Sequence, residues 1–272
     1  RGLGDVYKRQ VYATHGLGPV AQALDIHRGD RMKTLVAMDT KSVVGKSLVE
    51  ERTGQPCENF RNGDHTTTLI RTENGKVIEI QHDVMTPQPY NRLYQLTGTK
   101  GFANKYPIAG YALDAKQLNA SGVAPEVDNL NSHSFMPKKD MEALVQKYQH
   151  PILKKYGEMA KEVGGHGGMD FIMDSRLVYC LQNGLPLDMD VYDLAEWCCL
   201  AELGELSMDN NCAAVAFPDF TRGEWNKVKG YKHAYASPED ESVAMEKAKK
   251  ITAKLKEKGA VEWAGEAVEN KK

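Results

Sequence analysis

The chain has 272 residues, a formal net charge of −2 at pH 7 and 41% hydrophobic residues, a composition typical of a soluble globular protein. The small net charge argues against a nucleic acid or an anionic membrane surface as the main partner, and no apolar run is long enough to cross a bilayer. The five cysteines include no CxxC pair and are odd in number, so they predict neither a zinc site nor a disulfide framework, and the sequence predicts no metal ligands.

The first ten residues, RGLGDVYKRQ, do not fit the pattern that follows them. DVYKRQ resembles the translated end of a sequencing-library adaptor, and residue 1 is Arg rather than Met. We therefore interpret residues 1–10 as a sequencing scar and expect that an upstream part of the natural protein is missing. The pattern of the remainder predicts one α+β domain over residues 11–226, followed by a C-terminal surface helix and tail over residues 227–272.

Residues Val11–Gln22, VYATHGLGPVAQ, place a tyrosine and a histidine before a predicted helix. Proline is favoured at the first position of a helix, so Pro19 predicts where this helix starts. Tyr12 and His15 would then lie on the preceding turn, near the positive end of the helix dipole. That position favours a neutral imidazole, which can accept a proton. His15 is thus a candidate general base, although a capping or packing role is compatible with the same spacing.

The rest of the first half predicts a mostly antiparallel sheet with helices packed on one side. Asn74-Gly75 is the strongest short hairpin signal in the sequence. Alternation places His82 on the same face as two isoleucines, which fits a half-buried sheet residue. The predicted strands cover residues 34–38, 66–72, 77–84, 92–97, 102–104 and 110–113, with a helix over residues 42–52.

The second half predicts helices. Pro151 either kinks a helix that begins near residue 141 or starts the next one. The cluster Gly164–Gly168 lacks the GxGxxG spacing and follows a helix rather than a strand, so it predicts a turn before a helix near Met169 and not a dinucleotide loop. A lysine-rich helix is predicted over residues 237–259.

Two aspartates in this half raise the question of a carboxylate pair. Asp190 is predicted to cap a helix, with Asp193 completing the cap. Asp188 and Asp190 are also close enough in sequence to suggest the paired carboxylates of an ordinary glycosidase. Their place directly before a helix favours the capping role.

Residues 12–20, YATHGLGPV, resemble the YPTHGLGPV signature of glycoside hydrolase family 109, the NAD-dependent N-acetylgalactosaminidases. That family belongs to the superfamily of glucose-fructose oxidoreductase and inositol dehydrogenase. Ala13 stands where the family usually has proline. The resemblance extends to about Asn226 and implies the C-terminal, substrate-binding domain: an α+β fold with an open, mostly antiparallel sheet and helices on one face. Further similar segments cover residues 82–92, 98–101, 164–197 and 218–225.

The resemblance also implies an activity. A glycosidase of this kind removes terminal N-acetylgalactosamine by transient oxidation at C3 and elimination, with NAD bound by an N-terminal Rossmann domain that this sequence lacks. The fragment alone is then expected to be inactive. An NAD(P)-dependent sugar oxidoreductase of the same superfamily and a non-catalytic sugar-binding module are the alternatives. The expected partner is a carbohydrate, a homo-oligomer is compatible with the sequence, and the periplasm or the outside of the cell is the expected location.

Specific residues are assigned by the same resemblance. His15 and Tyr12 are the catalytic candidates. The residues expected to contact the sugar are Tyr12, Ala13, Thr14, His15 and Tyr90. His166 and Tyr94 are further candidates, with structural roles equally compatible. No cofactor-binding residue is assigned.

Overall fold

The computed structural model describes residues 13–114, 116–117, 122, 133–230, 250, 253 and 257. Helices and antiparallel sheets make up this part of the chain, so the predicted α+β class is confirmed. None of the helices in these ranges combines the length and apolar character that a bilayer-spanning helix needs. The helices are α1 Ala13–Ala23, α2 Val44–Thr53, α3 Lys138–Tyr148, α4 Pro151–Val163, α5 Met169–Asn183 and α6 Val191–Asp209. The strands are β1 Met32–Asp39, β2 His65–Thr72, β3 Val77–Asp83, β4 Gln95–Gly98, β5 Gly101–Asn104, β6 Gly110–Leu113 and β7 Val215–Ala216.

The described residues form two compact units. The first comprises residues 13–87 and 176–230, and the second comprises residues 88–114 and 133–175. The domain boundaries proposed from the sequence stay a prediction. The suspected scar at residues 1–10 and most of the predicted helix 237–259 lie outside the described residues, although Lys250, Ala253 and Glu257 are helical.

The first unit is built on a four-stranded antiparallel sheet in the order β3-β2-β1-β7. The β2–β3 hairpin turns at Asn74-Gly75 as predicted, and Gly75 has a φ of 83°, which glycine adopts without strain. Helices α1 and α6 cover one face, while Met38, Leu69 and Val77 lie exposed on the other. The covered face shares one core with the helices: Ala13, Leu17, Ala21, Ile26, Met32, Leu35, Ala37, Ile70, Ile78, Ile80, Leu200, Met208 and Phe217.

Helix α1 begins earlier than Pro19 predicts. It starts at Ala13, so His15 lies in its first turn and Pro19 lies inside it, which makes the predicted turn wrong. The proline removes only one hydrogen bond, the one to the carbonyl of His15. Tight packing offsets this loss: a Cβ atom on Gly16 would lie 3.2 Å from Ile80 Cγ2, and one on Gly18 would lie 3.2 Å from the Trp197 ring. Glycine at both positions lets the helix approach β3 and α6 closely.

The second unit contains the three-stranded sheet β4-β5-β6 and helices α3 and α4. Pro151 starts α4, and the His150 side chain accepts a hydrogen bond from the N–H of Ile152, which resolves the alternative between a kink and a new helix. The predicted glycine turn precedes α5, which begins at Met169. Gly168 has a φ of 95°, and a Cβ atom there would lie 2.6 Å from the Ala160 backbone. The glycine cluster therefore forms a turn and allows close contact with the backbone of α4.

Ser207 of α6 takes the place of a strand partner beside β1. Strand β7 pairs only with Thr34 and Leu35. Farther along β1, the N–H of Ala37 donates to Ser207 Oγ at 3.0 Å, and the Ser207 hydroxyl donates to the Ala213 carbonyl at 2.7 Å. Ser207 is fully buried. One hydroxyl therefore satisfies the N–H of the buried Ala37 and the carbonyl of Ala213.

We expect Ser207→Ala to lower the free energy of unfolding by about 1–3 kcal/mol, because it leaves the N–H of the buried Ala37 without this partner. Chemical denaturation measures this difference. Ser47→Ala, on the exposed side of α2, is the matched control and should change stability by less than about 0.5 kcal/mol. Equal stability of the two variants would contradict the role assigned to Ser207.

Candidate functional site

His15 presents its side chain to solvent from the first turn of α1. Ala13 is 7% exposed and belongs to the core, and Thr14 is half-buried. Tyr12 lies outside the described residues. Because Gly16 packs on Ile80, this first turn lies alongside β3. In the described part of the signature, His15 is the side chain suited to proton transfer at a surface.

Strand β3 ends in two titratable residues. His82 is half-buried, and burial lowers its pKa, which keeps the ring neutral near pH 7. Its Nε2 atom is buried and has no hydrogen-bond partner among the described residues. Asp83 accepts hydrogen bonds from the hydroxyl and the N–H of Thr86 at 2.6 and 3.0 Å. Burial opposes its charge, but these bonds lower the pKa of Asp83. The two neighbours thus differ in charge state, with the acid ionised.

Asp64 holds the start of α2 at the same end of the sheet. Its carboxylate accepts hydrogen bonds of 2.8 Å from the N–H groups of Val43, Val44 and Gly45. Burial opposes the charged form, but the three backbone donors lower the pKa of Asp64. The first N–H groups of α2 are therefore satisfied by the side chain of Asp64, which lies 20 residues after Val44 in the sequence.

Tyr90 and Tyr94 lie in the second unit and differ in exposure. Tyr90 is 69% exposed, with the Arg92 guanidinium 5.6 Å from its ring centre. Tyr94 is half-buried directly before β4, and burial raises the pKa of its hydroxyl. The Lys105 ammonium lies 5.9 Å from the Tyr94 ring. Tyr90 is therefore accessible to a ligand, whereas Tyr94 packs.

His166 lies exposed in the glycine turn of the second unit, with a φ of 45°. Its Nδ1 is 2.8 Å from Oδ2 of Asp170, in the first turn of α5. The same unit contains a cavity of about 770 Å³. Neither His166 nor Tyr90 nor Tyr94 lines it; the lining residues are Gly98, Thr99, Lys100, Gly101, Tyr111, Leu113, Gln117, Leu144, Val145, Tyr148, Gln149 and Leu153.

A buried charged cluster in the first unit has no counterpart in the sequence predictions. Asp190 and Asp193 form the predicted cap of α6, with both reciprocal hydrogen bonds present. Arg28 donates to both oxygens of Asp193 at 3.0 and 2.8 Å, and His27 Nδ1 lies 2.9 Å from Glu196 Oε2. The spacing of acids at 190, 193 and 196 is a signal for one helix face. The residues next to His27 and Arg28 in the sequence give no signal that these two side chains contact that helix face.

Asp188 and Asp190 do not form the carboxylate pair of an ordinary glycosidase. Arg176 is 3% exposed and forms an ion pair with Asp188. Two guanidinium nitrogens of Arg176 donate to the two carboxylate oxygens of Asp188. Asp190 accepts the first backbone N–H groups of α6. Each carboxylate thus has a structural partner of its own.

These observations first define the class: an α+β domain whose covering helix presents an exposed histidine beside an antiparallel sheet. A profile of the family described as Glycosyl hydrolase 109, C-terminal domain, matches residues 6–227. The chain belongs to glycosyl hydrolase family 109, as the sequence resemblance predicts.

Curated relatives carry the same family name. Glycosyl hydrolase family 109 protein 5 of Phocaeicola vulgatus is 83% identical over 266 residues, which is 98% of this chain and 51% of that protein. Protein 4 of the same organism is 83% identical over 261 residues, 96% of this chain and 51% of that protein. A family 109 protein of Porphyromonas gingivalis is 60% identical over 230 residues, 85% of this chain and 49% of that protein. The chain spans about half the length of these relatives.

We expect Asp64→Ala to lower the free energy of unfolding by about 1–2 kcal/mol at neutral pH, because α2 loses its side-chain acceptor. The pKa of Asp64 is lower in the folded than in the unfolded state, so this stabilisation is present above the unfolded pKa and is lost as the pH falls through the folded pKa. Denaturation curves should show the full difference near pH 7 and a smaller one below about pH 4.

Asp64→Asn, which keeps one acceptor oxygen, is the matched control and should be intermediate in stability at neutral pH. If the stability difference between the unsubstituted protein and the Asp64→Ala variant stays constant into the acid range, the role of the charge is contradicted.

Proposed function

We propose that this chain forms the sugar-facing part of an NAD-dependent glycosidase that removes terminal N-acetylgalactosamine. The observation that carries the proposal is the exposed imidazole of His15 on a helix whose position is fixed by close packing, in a chain of glycosyl hydrolase family 109. The family name supports a carbohydrate substrate. The signature around His15 supports the finer assignment.

NAD supplies reversible oxidation of a sugar hydroxyl in such an enzyme. The glycine cluster Gly164–Gly168 does not fit a dinucleotide loop: it follows helix α4 and not a strand, and Gly168 is packed against the backbone of Ala160. The cofactor is proposed to be bound by an N-terminal Rossmann domain, as the family resemblance implies. The contribution proposed for this chain is sugar binding and proton transfer.

His15 is proposed to accept a proton from the sugar at the oxidised carbon or its neighbour. A base in this role needs access to the substrate and a fixed position. His15 is exposed, which gives a substrate access to it. The contacts of Gly16 and Gly18 fix the position of the helix that carries it. The structural roles of Asp188 and Asp190 favour a base other than that carboxylate pair.

Tyr90 is proposed to bind a sugar hydroxyl. Its ring is 69% exposed and lies beside the Arg92 guanidinium, which gives an aromatic surface with a polar edge. Rings of this kind combine apolar contact with hydrogen bonding. Tyr90 would contribute to substrate affinity and not to proton transfer.

We expect His15→Asn, in the full-length protein, to lower kcat by roughly a hundredfold or more, the usual effect of losing a general base. The measurement is release of the aryl group from an aryl N-acetylgalactosaminide. His133→Asn, an exposed histidine outside the proposed site, is the matched control and should leave kcat unchanged. Near-native turnover of His15→Asn would overturn the assignment, and NADH formed in proportion to product would indicate a sugar oxidoreductase.

Tyr90→Phe should raise KM about two- to tenfold with little change in kcat, since it removes one hydrogen bond and keeps the ring. Tyr148→Phe is the matched control, because Tyr148 is also exposed and has Lys147 beside its ring. Equal kinetics of the two variants would show that the Tyr90 hydroxyl does not bind the substrate.

A further inference from the structure

A buried histidine and two carboxylates converge in the first unit. His27 Nε2 lies 3.4 Å from Oδ2 of Asp190 and 3.8 Å from Oδ1 of Asp193, and the three ligand atoms lie within 4.8 Å of one another. His27 is 6% exposed, whereas the Asp190 side chain is 43% exposed. Three potential ligand atoms therefore lie close together, and one of them belongs to a partly exposed side chain.

The hydrogen bond to Glu196 determines which His27 nitrogen faces the two aspartates. Nδ1 lies 2.9 Å from Glu196 Oε2, so the hydrogen of the neutral ring is assigned to Nδ1. The Nε2 lone pair then faces Asp190 and Asp193. Nε2 is buried and has no hydrogen-bond partner among the described residues. A lone pair directed at two carboxylates is repulsive unless a proton or a metal cation lies between them.

We infer that His27, Asp190 and Asp193 bind a first-row divalent cation such as Zn²⁺. Imidazole nitrogen and carboxylate oxygen are common ligands of these ions, and three protein ligands leave a position for water. The hydrogen bond from His27 to Glu196 is of the kind that orients ligating histidines.

The neighbouring contacts hold the ligands in place. Asp190 uses Oδ1 for the N–H groups of Tyr192 and Asp193, at 2.9 and 3.1 Å. Its Oδ2 faces His27 Nε2 at 3.4 Å and also accepts a hydrogen bond of 3.4 Å from Arg28. Asp193 is held by Arg28, which leaves the second lone pair of Oδ1 for a cation. The exposed Asp190 side chain gives the freedom to shorten the longest separation on binding. The site is therefore partly preorganised.

A proton competes with the cation for His27 Nε2. Burial lowers the pKa of His27, but the hydrogen bond and charge of Glu196 together with the charge of Asp193 outweigh burial and the nearby Arg28, so the pKa is raised overall. A bound metal must displace that proton, since a ligating imidazole is neutral. Proton competition falls as the pH rises, so the binding measurements are made on the alkaline side of neutral pH.

The test is Zn²⁺ binding by the full chain, with metal content measured after removal of excess ZnCl₂ and affinity measured by titration calorimetry. We expect one Zn²⁺ per chain, and Co²⁺ in its place should give the visible absorption of a bound ion. His27→Gln should weaken binding at least about tenfold. Asp190→Asn should do the same while keeping the helix cap, since Asn caps as well as Asp.

His133→Gln is the matched control and should bind Zn²⁺ as the unsubstituted protein does. Glu196→Gln should weaken binding by about tenfold or more through loss of the ligand orientation. The inference would be overturned if the unsubstituted protein retained less than one Zn²⁺ per chain. It would also be overturned if Asp190→Asn bound Zn²⁺ as tightly as the unsubstituted protein does. If His27→Gln does not fold, Asp190→Asn alone decides, because its cap is preserved.

Discussion

The close approach of α1 to β3 and α6 is the constraint on which the first unit depends. A Cβ atom on Gly16 or on Gly18 would meet Ile80 or Trp197 at 3.2 Å, tighter than most side-chain contacts. Leu17, between the two glycines, is fully buried in the core. Dense packing leaves one position for such a helix, because cores resist changes of even a methyl group. The location of His15 thus follows from residues that take no part in chemistry.

Helix α6 joins the two halves of this unit. It supplies Leu200 and Met208 to the core and the Ser207 hydroxyl to the edge of β1. Its first turns bind His27 and Arg28 from the loop after α1. Buried charges are costly unless they are paired and hydrogen-bonded, so this contact fixes the loop in one arrangement. The same arrangement brings His27 Nε2 close to the carboxylates of Asp190 and Asp193.

Local signals in the sequence predicted the features that local chemistry determines. The Asn74-Gly75 turn and the Asp190 cap depend on a few neighbouring residues, and the structure contains both. For Pro151 the sequence left a kink and a new helix open, and the structure has a new helix. The contact of His27 with Glu196 joins residues 169 positions apart. Periodicity and capping rules concern residues that are close in sequence, so they could not predict this cluster. The proposed sugar-binding residues came from resemblance alone.

The error at the start of α1 has a related cause. Proline marks the first position of a helix, and Ala13 replaces the proline that the family usually has there. Ala13 is the first residue of α1 as described, so the missing proline would have stood at the start of the helix. Without it, the next proline, Pro19, was the only such signal in the segment. A proline at position 13 would mainly restrict the unfolded chain, worth about 0.4–1 kcal/mol. The departure from the family signature therefore concerns the stability of a helix start, while His15 keeps its place in the first turn.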